Sequence, residues 1–236
     1  MALSQTQSGT QSAVSEPLYR KLYRAFFAAC ILLAPLILSL WFVLCPTSAG
    51  DPACPDQASS LAVFADFRAM NPQLMQIFLL LSLVSPYVYT LSYIGLGLVA
   101  MKRSPWLAIG GIACGFLAGI VWGVIADSIT MLASMAQVGL NPLFVTVENR
   151  YYSSWIILTF GAFWVIGHLL AYVLLGIALL RSRMIPSWAA WLIIVSAPLM
   201  GPIAYGTHLG LLQILGYVLV FIGSIPAAFA MLKFRK

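Results

Sequence analysis

The chain has 236 residues, of which 62% are hydrophobic and only 8% charged, with a mean hydropathy of +0.98 and a formal net charge of +6. Soluble domains carry about a quarter charged residues, so a water-soluble fold is excluded. A chain this apolar is not intrinsically disordered either, apart from a Ser-, Gln- and Thr-rich start over 1–15 that reads as a tail. The composition is that of an all-α integral membrane protein.

A helix needs roughly 20 mostly apolar residues to cross a bilayer. Six stretches meet that need: 22–45, 73–101, 107–133, 155–180, 188–205 and 209–232. Together they form one transmembrane domain over 19–236, behind a cytoplasmic tail over 1–18. The first stretch is long and follows about twenty residues of tail, which fits a retained span better than a cleaved signal peptide. Pro198 and Pro202 make the outer end of the fifth span the hardest boundary to place. Between the first two spans, 61–70 is predicted to form a short helix lying on the membrane. The segment 139–154 is predicted as a loop, with Tyr151, Tyr152 and Trp155 suited to the interfacial aromatic belt.

Six spans put Arg20, Lys21, Arg24, Lys102, Arg103, Arg181, Arg183, Lys233, Arg235 and Lys236 on one side and leave only Arg68 and Arg150 on the other. Lys and Arg are retained in cytoplasmic loops, so both termini are expected in the cytoplasm. The positive charge then serves topology, and no basic stripe for nucleic acid is present. The partners expected are the lipid bilayer itself and, through helix packing, a homo-oligomer or a larger membrane complex.

A short pattern recurs. Leu91-Ser92-Tyr93-Ile94 and Leu170-Ala171-Tyr172-Val173 are each followed by a glycine (Gly97, Gly176) and then a cation (Lys102, Arg181) at equal distance; Leu215-Gly216-Tyr217-Val218 begins in the same way. Three helical hairpins of related plan would produce this pattern, and so would the general needs of membrane hairpins.

In the third span Gly111, Gly115, Gly119 and Gly123 recur every four residues and form a ridge where another helix can approach closely. That helix belongs either to the same bundle or to a second subunit. Asp127 continues the ridge and is expected to face protein near the outer membrane boundary, with Thr130 and Ser134 on nearby turns. It is a candidate proton or cation site. His168 falls near the middle of its span, where an ionisable residue is costly and needs a partner; Tyr87, Tyr89 and Ser196 lie at similar depth. Cys45 and Cys54, nine residues apart and each followed by proline, suit a disulfide on the oxidising side. Cys30 and Cys114 read as small apolar packing residues.

Other chemistries lack residues. Only His168 and His208 exist, separated in depth by roughly 20 Å of helix rise, so a bis-histidine haem within one chain is excluded and a zinc site is poorly supplied. HExxH, GxSxG and phosphate-loop signatures are missing. No catalytic residue, metal or cofactor is assigned. Proline interruptions at Pro35, Pro86, Pro198, Pro202 and Pro226 are of the kind that lines transporter cavities. Small-solute transport, or a role accessory to it, is therefore the leading expectation. A regulatory or assembly role and a redox or lipid-acting enzyme using His168 are the alternatives.

The stretch Arg181-Ser182-Arg183-Met184-Ile185-Pro186-Ser187-Trp188-Ala189-Ala190-Trp191-Leu192 resembles the inner turn of a broad group of uncharacterised bacterial six-span membrane proteins that share a domain of unknown function. The resemblance covers the plan of the chain and implies a bacterial plasma membrane. It implies no activity and carries over no functional residue.

Overall fold

The computed structural model describes residues 17–45, 60–139, 141–207 and 209–233. They are almost wholly helical, with no strand among them. The tail over 1–15, Cys54 and His208 lie outside the described residues.

The helices are α1 (Leu18–Leu44), α2 (Ser60–Ala69), α3 (Pro72–Ala100), α4 (Pro105–Val138), α5 (Pro142–Tyr152), α6 (Trp155–Ser182), α7 (Ser187–Pro198), a π-helical turn (Leu199–Ile203), α8 (Ala204–Thr207) and α9 (Gly210–Leu232). Of these α1, α3, α4, α6 and α9 are long and apolar enough to cross a membrane. The chain is thus a multi-pass, membrane-type helical protein. The region 188–205, expected as one span, is a shorter apolar helix that runs into the π-turn. Pro202 has no N–H for the carbonyl of residue 198. The ladder widens, and Ala204 N–H bonds to Leu199 O, five residues back.

Prolines start the helices where their missing N–H does no harm. Pro72, Pro105 and Pro142 sit at the first turns of α3, α4 and α5, and the side chains of Asn71 and Asn141 cap two of these starts. The Asn141-Pro142 start explains why α5 exists at all. The aromatic residues after it suggest an interfacial loop, yet cap and proline together set a helix of three turns. The short helix expected over 61–70 is α2, one residue shifted.

Neighbours around the bundle follow chain order: α1 packs on α3, α3 on α4, α4 on α6, α6 on α7, α7 on α9, and α9 returns to α1. Three hairpins, α1–α3, α4–α6 and α7–α9, therefore close into a ring. The second helix of the first hairpin, α3, also touches α6 and α9, so the inner faces of all three second helices meet at the axis. The basic end of the ring is tied across hairpins. The Arg103 guanidinium donates to Ser182 O at the end of α6 (3.1 Å), and that of Arg24 donates to Leu232 O at the end of α9 (3.2 Å). Cations suit helix C-termini, whose last carbonyls lack intrahelical partners.

The recurring sequence pattern has a recurring geometry. A Cβ on Gly97 would strike Ile112 of α4 (2.4 Å), one turn beyond Ala108; a Cβ on Gly176 would strike Ile194 of α7 (2.5 Å), one turn beyond Ala190. Each glycine lets the second helix of one hairpin press against the first helix of the next.

Candidate functional site

The pattern tyrosines converge. Tyr93 on α3, Tyr172 on α6 and Tyr217 on α9 are all buried to about 1% exposure and surround His168. Ring centroids lie 6.5 Å (Tyr93), 5.0 Å (Tyr172) and 5.8 Å (Tyr217) from the imidazole. The Tyr93 hydroxyl lies 3.0 Å from Nδ1, and the Tyr217 hydroxyl 3.3 Å from Nε2. Each nitrogen of one histidine is thus held by a tyrosine from a different hairpin. Tyr93 in turn donates to the Tyr89 hydroxyl. If Tyr93 spends its proton on Tyr89, Nδ1 is the nitrogen that carries hydrogen, and Nε2 is left to accept from Tyr217. The imidazole is also sandwiched, with Tyr89 stacked at 5.1 Å and Trp164 at 5.5 Å.

A row of indoles leads away from this centre. Trp164 stacks on Trp122 (5.1 Å), which meets Trp41 edge-on (5.0 Å). Trp41 and Trp122 donate their N–H groups to Ser82 and Ser85 of α3, each at 2.7 Å. Trp164 differs: its buried Nε1 has no protein partner, and neither has the buried Oε1 of Gln213 on α9. Both residues line a small cavity of about 10 Å³ beside His168 and Tyr217, closed by Met200 and Gly201 of the π-turn. A polar space of roughly 10–15 Å³ holds one water. A water here would accept from the indole and donate to the amide.

The remaining expected residues are distributed as follows. Tyr89 belongs to the centre, but Tyr87, two residues away, is 68% exposed on the outer flank of α3. Residues two apart on a helix point to nearly opposite sides, so the two tyrosines cannot share one partner. The buried Ser196 hydroxyl donates to Ile193 O of its own helix (2.7 Å).

The glycine ridge faces inside the chain. Gly111 lies against Leu175 of α6, Gly115 against the Tyr93 ring, and Gly119 against Thr90, while Gly123 has Pro86 Cβ at 3.8 Å. The helices α3 and α4 are therefore in closest contact at Gly115 and Gly119 and looser at Gly123. One turn further Asp127 is exposed, not turned into the bundle. It lines a groove of about 800 Å³ between α3 and α4, together with Thr130, Tyr87 and Thr90. The hydroxyls of Thr130 and Ser134 bond to their own helix at 2.9 Å each. Cys45 is disulfide-bonded, whereas Cys30 and Cys114 are free. Among the described residues no cluster of His, Cys, Asp and Glu is arranged to hold a metal ion.

Sequence reasoning singled out the histidine but assigned the three pattern tyrosines to a repeat and not to a site. Their shared position after a leucine was the available signal. Gln213 and Trp164 carried none.

No protein-family model matches the chain, and no curated protein and no solved structure matches it.

Proposed function

We propose that the protein is a six-span, proton-linked small-solute transporter of a bacterial plasma membrane, or the membrane partner of one, with both termini cytoplasmic and His168 as its switch. The one-sided distribution of Lys and Arg supports the orientation. The sixth crossing is supplied by the helical run from Ser187 to Thr207, roughly 30 Å at 1.5 Å per residue, with the π-turn as its broken segment. The turn over 181–192 resembles that of bacterial membrane proteins, which supports the membrane assignment.

One observation carries the switch: the two nitrogens of His168 are held by tyrosines of two other hairpins. A neutral imidazole donates at one nitrogen and accepts at the other; imidazolium donates at both. Adding a proton at Nε2 forces Tyr217 to stop donating and turn its lone pairs to the ring. The link between α6 and α9 is broken or reversed, with the π-turn beside it. The closed centre surrounds the ring with neutral hydroxyls and aromatic faces, a poor place for a charge. Imidazolium belongs to a conformation in which the hairpins part and water reaches the ring. A proton that binds one conformation better shifts the population toward it. An enzymatic use of His168 has less support, because the space beside the ring is water-sized.

His168→Gln keeps one donor and one acceptor but does not titrate. In nanodiscs, acidification is expected to part the hairpins around imidazolium, move the ring away from Trp164 and change the Trp164 fluorescence. His168→Gln is expected to abolish that change while the circular dichroism stays the same. In proteoliposomes on a solid support, a panel of amino acids, sugars and organic cations is expected to yield at least one solute whose current requires His168. An unchanged fluorescence titration in His168→Gln refutes the switch. A titrating centre with no current for any solute moves the assignment to the accessory role.

A further inference from the structure

We propose that the groove between α3 and α4 is a binding site for one amine-headed phospholipid, with the lipid ammonium against Asp127 and an acyl chain laid along the helices. The inference uses the membrane orientation proposed above but is independent of His168.

Three observations carry it. The first is shape. The groove runs from Leu79 to Ile94 on α3 and from Phe116 to Thr130 on α4, about 21 Å of helix rise, and its volume of about 800 Å³ is within the range of small-molecule sites.

The second is polarity along that length. α4 starts at the basic end, so Phe116 lies deeper and Asp127 and Thr130 lie toward the opposite end. α3 runs the other way, so Leu79, Leu80 and Leu83 stand at the level of the acid while Leu91 and Ile94 stand with Phe116. The groove thus carries its charge at one end and is mainly apolar over the rest, with Tyr87 and Thr90 as the polar side chains part-way along, as an amphiphile requires.

The third is depth. Asp127 is 22 residues beyond Pro105 (127 − 105), about 33 Å along α4. With Pro105 at one membrane boundary, the carboxylate reaches the head-group level across a hydrocarbon core of roughly 30 Å. It is exposed on the groove wall, where an anion at the edge of hydrocarbon gains most from a cation delivered by the membrane.

The same geometry explains why the groove is open. The close approach of α3 and α4 ends at Gly119, where a Cβ would strike Thr90 Oγ1. At Gly123 the nearest atom is Pro86 Cβ at 3.8 Å. Small residues at Gly123 and Ala126 then leave the channel unfilled beneath Asp127.

The test uses the full chain, delipidated in detergent and titrated with dioleoyl phosphatidylethanolamine or dioleoyl phosphatidylglycerol, with retained lipid read by native mass spectrometry. The two lipids share their acyl chains and differ in the ammonium. The wild type is expected to retain one phosphatidylethanolamine roughly tenfold more strongly than phosphatidylglycerol, a ratio that corresponds to about 1.4 kcal/mol. Asp127→Asn is expected to reduce phosphatidylethanolamine retention to the phosphatidylglycerol level and leave the latter unchanged. Gly123→Leu, which fills the groove from the α4 side, is expected to weaken both lipids.

Equal retention of the two lipids by the wild type overturns the head-group assignment, as does an unaltered preference in Asp127→Asn. Unchanged binding of both lipids in a folded Gly123→Leu overturns the groove. Should Gly123→Leu fail to fold, Ala126→Leu, one turn along the same wall, replaces it and is read in the same way.

Discussion

The two faces of α3 treat polar side chains in opposite ways. Tyr89 and Tyr93 face the axis, fully buried, and their hydroxyls close a chain with His168 that runs on to Tyr217. Tyr87 and Thr90 face the flank and border a groove whose one acid, Asp127, is exposed. At the histidine the chain supplies its own partners, with Trp164 Nε1 and Gln213 Oε1 beside it as the exceptions; on the flank, the charge of Asp127 is left to whatever surrounds the protein. A membrane protein gains little from burying apolar surface against lipid of equal apolarity. Its specificity must come from close packing and paired polar groups, and the axis has both. The open flank is the place to look for a ligand, and the closed axis is the place to look for a switch.

The sharpest way to break this contrast is to damage the packing that closes the axis. A Cβ on Gly115 would lie 2.3 Å from Cδ2 of Tyr93, and the ring has no free direction because its hydroxyl is committed to His168 and Tyr89. Gly115→Ala is expected to lower stability by about 3 kcal/mol, the upper range for overpacking, measured by thermal unfolding in detergent. Gly123→Ala on the same ridge, with 3.8 Å to its nearest neighbour, is expected to be neutral or slightly stabilising, because alanine favours helix. Equal effects at the two positions would mean that the ridge is a uniform seam and not a graded one.

Removing the histidine comes next. His168→Phe keeps an aromatic ring in the sandwich but removes the hydrogen bonds that Tyr93 and Tyr217 make to the imidazole. A net hydrogen bond is worth about 0.5–1.5 kcal/mol, and two are lost. A loss of about 2 kcal/mol is expected, most of it recovered in His168→Gln. A variant as stable as the wild type would show that the centre tolerates loss of the imidazole and that its hydrogen bonds do not hold the hairpins together.

The contrast also marks what a sequence discloses. Periodicity and length were enough for the five long helices because each is a local property; their boundaries came within about five residues, whereas α5 reads as a loop in the sequence and 188–205 as one span. The charge of Asp127 and the burial of His168 were legible as anomalies of composition. Which helix faces which was not. Tyr87 and Tyr89 look equivalent as partners for His168 until the rotation of α3 is known. The ridge of α4 points Asp127 inward only if α3 follows it for one more turn, and beyond Gly123 it does not. Gln213 and Trp164 read as an ordinary polar residue near a helix end and an ordinary aromatic. Only the tertiary arrangement brings the two residues to one cavity and leaves an atom of each without a protein partner.

Gln213 offers a finer test of the axis. Its Oε1 is buried without a protein partner, and replacing an unsatisfied group with an apolar one of similar size is nearly neutral or stabilising. Gln213→Leu is expected to shift stability by less than about 1 kcal/mol and to exclude water from the cavity beside Trp164. The Trp164 emission should move to shorter wavelength. A loss of several degrees in melting temperature would instead show that an ordered water joins Gln213 to the indole and is part of the fold.

The smallest effect is expected between the two regimes, at Asp66 on α2, which leans on the far end of α4. Phe64 and Phe67 bury themselves there, and Gln137 Nε2 donates to Phe67 O at 3.4 Å. One carboxylate oxygen of Asp66 is carried into the contact without a partner, and burial pushes the carboxyl up from its ordinary value of 3.8. The folded form therefore holds the proton more tightly than the unfolded chain does. Its stabilising contribution is full below the ordinary value and is lost as pH rises through the raised one. Asp66→Asn mimics the protonated state. It is expected to flatten the acid limb of the stability profile and, at neutral pH, to leave the protein as stable as the wild type or slightly more so. If the variant is less stable at neutral pH, the carboxylate has a partner on the flank after all. Asp66 would then belong with Tyr93 and Tyr217, among the polar groups that the chain itself satisfies.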